Sequence, residues 1–310
     1  MNGDVSPVVE IADLSIVYKG SRRASVRAVS GLNLIIEKGE VVGLVGPNGA
    51  GKTTTIKTLM GFLFPTSGEV RLFGLKAGSV DARRRIGYLP EVAQYYPFLN
   101  AQEALKLYAT LQEVPGSQKK HMISELIDKV GLSNRDREPL RNFSKGMLQR
   151  LGIAQAIMGD PELLILDEIT SGLDPVARHD VRNVLLDFKS RGKTIFFSSH
   201  ELSEVTLLCD RVILLDEGQV LEERSLAEML SSMRRHVVTV EGATVPEALP
   251  EGVSVRSRSG DHITLVADSE PAQTQLIELL ARLGVTVVNT VVESGSLEDY
   301  FVKVVGHKVT

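Results

Sequence analysis

The chain has 310 residues, 43% hydrophobic and 24% charged, a composition that excludes gross disorder and leaves room for one large domain and a smaller one. A formal net charge of −4 gives no electrostatic reason to expect nucleic acid as the main partner, and short basic clusters such as Arg83-Arg84-Arg85 and Lys119-Lys120 read as solvated faces. The single cysteine, Cys209, excludes an internal disulfide and reads as a core thiol beside Leu207 and Leu208; no apolar run approaches the roughly 18 residues of a membrane span, and no secretory signal is visible.

Strands are predicted over residues 8–18 and 32–36, the second ending at Glu37-Lys38-Gly39-Glu40, with the polar stretch 19–26 as a hairpin loop. Residues 41–45 form an apolar run, as a strand buried on both faces must. They lead into Gly46-Pro47-Asn48-Gly49-Ala50-Gly51-Lys52-Thr53, then a helix-compatible stretch to about 63. This octapeptide fits the phosphate-binding pattern G-x-x-x-x-G-K-[ST]. Its glycines let backbone N–H groups curl around phosphate oxygens, and the following helix presents its positive end. Lys52 is then placed to neutralise β/γ-phosphate charge and the Thr53 hydroxyl to ligate Mg²⁺, with Thr54 next in line.

Residues 101–158 carry a mostly helical pattern, broken near Val114-Pro115-Gly116 and at Gly131, which predicts a helical subdomain over about 91–160. The apolar strand 163–166 ends in Asp167-Glu168, where carboxylates are expensive without a function or partners. Beside a phosphate-binding loop, Asp167 is expected to hold Mg²⁺ and Glu168 to polarise the attacking water. Strand 194–198 ends at Ser199-His200, and 211–215 is a further strand. Strands alternating with helices predict an α/β fold whose mostly parallel sheet is wrapped by helices. Near Arg235 the texture changes. Strands over 236–240, 253–257 and 262–266, a helix after Pro271 stopped by Gly284, a strand over 285–292 and a helix over 296–304 predict a small α+β domain. The expected division is therefore 1–234 and 235–310.

Between the two acidic and phosphate-binding segments lies Phe143-Ser144-Lys145-Gly146-Met147-Leu148-Gln149-Arg150, which resembles the LSGGQ signature of the ABC ATPases. The resemblance runs from residue 8 to about 230. It implies that Ser144, Gly146 and the adjoining N–H groups capture a γ-phosphate held by a second subunit, and Lys145 and Met147 depart from the most common residues. It makes Ser171-Gly172-Leu173-Asp174 the D-loop, His200 the switch histidine and Tyr18 the aromatic that stacks on adenine. Glu91, after Gly87-Tyr88-Leu89-Pro90, stands where the family's Q-loop glutamine belongs, close to Mg²⁺ or its water. ATP and Mg²⁺ are the implied ligands, with the phosphate-binding residues Gly46 to Thr54 around the nucleotide.

A second ATPase subunit, most simply a homodimer partner, is implied, and so is a separate transmembrane permease. The permease would hold the chain at the cytoplasmic face of the membrane, and Tyr95, Tyr96, Pro97, Phe98 and Leu99 are the residues expected to dock it. The form of the signature, the run to Glu91 and the segment Ser296-Leu297-Glu298-Asp299-Tyr300-Phe301 resemble ATPases of exporters carrying drugs, lipids or polysaccharides. A soluble ABC ATPase with a mechanical or regulatory role is the alternative, and the intact Glu168 and His200 argue against a nonhydrolysing module.

Overall fold

The computed structural model describes residues 6–19, 25–170, 173–241, 248–295 and 297–306. In chain order, β1 (Val9–Tyr18), β2 (Val26–Ile36) and β3 (Val41–Val45) precede α1 (Lys52–Leu59). Next come β4 (Ser67–Leu72), β5 (Leu75–Lys76), α2 (Val80–Arg84) and β6 (Ile86–Leu89). The helical stretch resolves into α3 (Ala101–Leu111), α4 (Gly116–Lys129) and α5 (Lys145–Ala156), followed by β7 (Leu163–Leu166), α6 (Pro175–Ser190), β8 (Thr194–Ser199), α7 (Leu202–Leu208), β9 (Arg211–Asp216) and β10 (Gln219–Ser225).

Strands β10-β9-β3-β8-β7-β6 form one sheet in that order, parallel except for β10, and β2-β1-β4-β5 form an antiparallel sheet. Every residue of β3, β7 and β8 is buried, which is why β3 and β7 carry no polar side chain and β8 is apolar between Thr194 and Ser198. One apolar cluster joins both sheets, with Val9, Ile11, Leu14, Leu44, Ile56, Leu59, Ile165 and Phe196 among its members. Parallel register aligns the carboxyl ends: Val45 pairs with Ser199, and Leu166 with Phe197. The segments leaving β3, β7 and β8 therefore emerge at one edge of the sheet, where open α/β sheets bind ligands.

Several elements differ from the sequence expectation. β2 starts at Val26 rather than 32, its first residues being exposed and polar enough to read as loop. The helix after the phosphate-binding loop stops at Leu59, and β4, β5, α2, β6 and β10 were not expected. β4 and β10 are half exposed and carry charges, so pairing rather than hydrophobic pattern defines them.

Two compact units divide the chain, Met1–Ser225 and Leu226–Thr310. The second begins with α8 (Leu226–Ser232), ahead of the textural change near Arg235. It continues through β11 (Arg234–Glu241), β12 (Val253–Ser259), β13 (His262–Ala267), α9 (Glu270–Arg282), β14 (Thr286–Ser294) and α10 (Leu297–Gly306). Its antiparallel sheet has the order β12-β13-β11-β14. Val238, Val240, Ile263 and Leu265 pack with Leu276 and Leu280 of α9.

Candidate active site

The turn out of β3 passes between Leu215 on β9 and Ala28 on β2. A Cβ on Gly46 would lie 2.1 Å from the Leu215 carbonyl oxygen. Gly51, at φ 107°, is the N-cap of α1, and a Cβ there would lie 2.4 Å from the Ala28 carbonyl oxygen. Glycine is therefore required at both positions. No side chain caps α1, so its first N–H groups and the positive end of its dipole are available to an anion. They face a cavity of about 580 Å³ lined by Ala28, Pro47, Asn48, Gly49, Ala50, Gly51, Lys52, Thr53, Thr54, Glu91, Glu168 and His200.

Lys52 is buried, and its Nζ donates to the carbonyl oxygens of Gly46 at 2.7 Å and Pro47 at 3.2 Å. It also lies 3.3 Å from Glu168 Oε1, while His200 Nδ1 contacts Glu168 Oε2. Both oxygens of the buried Glu168 carboxylate are thus held, one by an ammonium and one by an imidazole. Its backbone is left-handed, at φ 52°.

Asp167, 1% exposed, accepts at Oδ1 from the hydroxyls of Ser198 at 2.6 Å and Thr53 at 3.3 Å. Burial pushes its carboxyl above the ordinary aspartate range; the two hydroxyls oppose the shift, and the negative charges of Glu168 and Glu91 add to it. A cation beside Asp167 would offset that desolvation. The hydroxyl of Thr53 and the carboxylate of Asp167 are hard oxygen donors, suited to Mg²⁺ completed by nucleotide oxygens and water. No group of three or more His, Cys, Asp or Glu that could hold a metal ion occurs among the described residues, so a cage of such side chains is not what this site provides.

The remaining expected residues are placed as follows. Tyr18, 44% exposed at the end of β1, has its hydroxyl 3.4 Å from Thr54 Oγ1; it stands beside the loop without lining the cavity. Ser144 is exposed at the N-cap of α5, where its Oγ accepts from the Met147 N–H at 3.2 Å. Neither Ser144 nor Gly146 lines the cavity of its own chain, and nor does Asp174, which N-caps α6 through the Ala177 N–H at 2.8 Å. Ser171 and Gly172 lie outside the described residues.

Sequence reasoning passed over Ala28 and Ser198. An alanine in a strand has no chemical signature, and Ser198 is the first polar residue after a wholly apolar stretch. A larger cavity of about 780 Å³, bordered by Lys106, Lys119, Ile123 and Asp136 of the helical insertion, contains none of the residues assigned chemistry. Volume alone is a poor guide here, because bound phosphate needs N–H groups and charge rather than space.

The family model described as ABC transporter matches residues 29–171. An uncharacterized ABC transporter ATP-binding protein of Synechocystis sp., sll0415, is 38% identical over 302 residues, covering 96% of this chain and 84% of its own. The chain belongs to the ABC transporter ATP-binding protein family. The bacitracin transport ATP-binding protein BcrA of Bacillus licheniformis is 36% identical, with 97% of this chain and 98% of its own covered. A solved ATP-binding subunit of an ABC transporter superposes with a TM-score of 0.64 at 30% identity, over 72% of this chain and 91% of its own. As a member of this family the chain is an ATPase of the P-loop α/β fold.

Proposed function

We propose that this ABC transporter ATP-binding protein is the motor of an exporter, in which two copies close on ATP and drive a separate transmembrane permease. The observation that carries the reading is the cavity where Lys52, Thr53, Glu168 and His200 converge on the uncapped end of α1, with Asp167 joined to it through the Thr53 hydroxyl. In it, N–H groups of residues 48–53 cradle the β- and γ-phosphates, and Lys52 exchanges its carbonyl partners for phosphate oxygens. Thr53 and Asp167 would hold Mg²⁺, which when bound would neutralise phosphate charge. Glu168 orients the attacking water and accepts its proton, and His200 holds the carboxylate in place. Tyr18 stacks on the base, and Glu91, on the cavity wall, takes the place of the Q-loop glutamine as a residue that senses Mg²⁺ or its water.

Ser144, Gly146 and Asp174 lie outside this cavity, which supports their use by a second copy. Among the described residues no helix is long and apolar enough to cross a membrane, so transport requires a membrane partner. Export rather than uptake rests on the form of the signature, the run Gly87 to Glu91 and the C-terminal appendage, and the likeness to the bacitracin transport protein BcrA supports a transport role. We place the nucleotide-binding domain, expected over 1–234, at the first compact unit, which ends at Ser225, with its helical subdomain near 91–160. The α+β domain, expected over 235–310, then starts with α8 at Leu226.

Purification of the tagged chain from detergent-solubilised membranes of its source is expected to bring down a multispanning membrane protein that stimulates ATP hydrolysis. Recovery of an active ATPase alone, unresponsive to membrane fractions, would instead favour a mechanical or regulatory ATPase without a permease.

A further inference from the structure

Parallel pairing between β7 and β8 runs from Leu163 with Thr194 to Leu166 with Phe197 and stops there. Two residues later Glu168 turns to φ 52°, which takes its backbone out of line with the ladder. An N–H group in this buried position needs another acceptor. The Glu168 N–H donates to Ser198 Oγ at 3.0 Å, and the same hydroxyl donates to Asp167 Oδ1 at 2.6 Å. Ser198 is fully buried at the end of β8, two residues before His200, which contacts the Glu168 side chain.

We infer that Ser198 is a positioning residue for ATP hydrolysis that acts through Glu168, its single hydroxyl replacing the ladder bond that Glu168 forfeits and tying that residue's backbone to β8. The inference rests on the reading of Glu168 as the base. The O–H donor and one of the two acceptor lone pairs are used, and an apolar group of similar size can supply neither. Without it, the Glu168 N–H is left buried and unpaired, and the left-handed turn loses the contact that holds it. The carboxylate can then drift from the line of attack, and misplacements of about 1 Å cost on the order of 10²-fold in rate. The phosphate contacts proposed for the loop 46–54, Lys52 included, involve no atom of Ser198, whose only link to that loop runs through Asp167 to Thr53. Nucleotide binding is accordingly separable from turnover.

The test compares Ser198→Ala with Ser198→Thr, which retains a hydroxyl on the same carbon, in purified full-length protein, with melting temperature monitored. Ser198→Ala is expected to lower kcat by about tenfold or more while KM for ATP stays within about twofold. Ser198→Thr should recover most of that loss. In a Glu168→Gln background, the alanine change should have little further effect, because a residue acting through Glu168 cannot be counted twice. Should Ser198→Ala fail to fold, Ser198→Cys, which keeps the size but donates weakly, takes its place in the same comparison. A kcat within about twofold of wild type, a loss confined to KM, or an equal proportional loss with Gln at 168 would each overturn the inference. If Glu168→Gln itself hydrolyses ATP normally, the base assignment has failed first, and that result is distinct from a neutral Ser198→Ala in an enzyme that needs Glu168.

Discussion

A glutamate at φ 52° carries a backbone cost of about 1–2 kcal/mol that a glycine would not. Glu168 bears it because the left-handed turn brings its carboxylate between Lys52 and His200, over the phosphate loop. Glu168→Gln keeps the volume and one acceptor oxygen but removes the charge that draws a proton from water. ATP affinity measured by equilibrium binding should stay within a few-fold of wild type, whereas turnover should fall by about 10²-fold or more. Hydrolysis by this variant at close to the wild-type rate would sink the assignment. Lys52→Ala acts at the other end of the same contact. It removes the ammonium that meets the phosphates and leaves Glu168 buried without its cation, so nucleotide binding itself should weaken. At this scale the sequence was legible wherever a residue type is chemically expensive. A lysine among glycines and two acids ending an apolar strand demand partners, and the structure supplies them. Ser198 and Ala28 were not legible, since a serine costs little to bury once bonded and an alanine nothing at all.

Among the elements, the strands buried on both faces were the readable ones, because layers on both sides leave β3 and β7 without a polar side chain and confine those of β8 to its ends, Thr194, Ser198 and Ser199. β10 exposes part of its length at the sheet's edge and carries Glu222, Glu223 and Arg224, so nothing in its pattern separates it from a loop. The helical breaks at Pro115 and Gly131 were visible because backbone chemistry, not packing, sets them. The aromatic segment ahead of α3 divides in a way its composition could not reveal. Tyr95 turns inward, its hydroxyl donating to Gln155 Oε1 at 3.0 Å and its ring edge-on to Tyr108. Tyr96, Pro97 and Phe98 are exposed, with the Tyr96 and Phe98 rings 5.7 Å apart and Phe98 70% accessible. Two neighbouring exposed aromatics suit a partner interface, where truncating a buried anchor costs on the order of 2 kcal/mol. Phe98→Ala should therefore weaken copurification with the permease and spare the basal ATPase activity and melting temperature of the isolated chain. Loss of thermal stability with assembly intact would place Phe98 in the fold rather than the interface.

For the molecule as a whole, the position of Ser144 is the feature that one copy does not explain. Its hydroxyl caps α5, whose opening N–H groups give a helix start of the kind that favours anions, yet Ser144 lies outside the cavity that holds Lys52 and Glu168. Ser144→Arg puts a bulky cation at that helix start, where it would block the approach of a second copy's nucleotide while leaving the chain's own phosphate loop intact. Lys52→Ala does the reverse. If Ser144 acts in trans, a heterodimer of the two variants has both lesions in one composite site and a complete site in the other. Each variant alone should be nearly inactive, and mixing them should restore a fraction of wild-type ATPase activity that follows the statistical share of heterodimers. The recovery should saturate with protein concentration, because it depends on association. If Ser144 acted within its own chain, every heterodimer site would carry a lesion and mixing would restore nothing. A cross-link joining Ser144→Cys to Gly49→Cys discriminates on geometry alone: formation between two chains in the presence of nucleotide supports the composite site, and formation within a single chain refutes it.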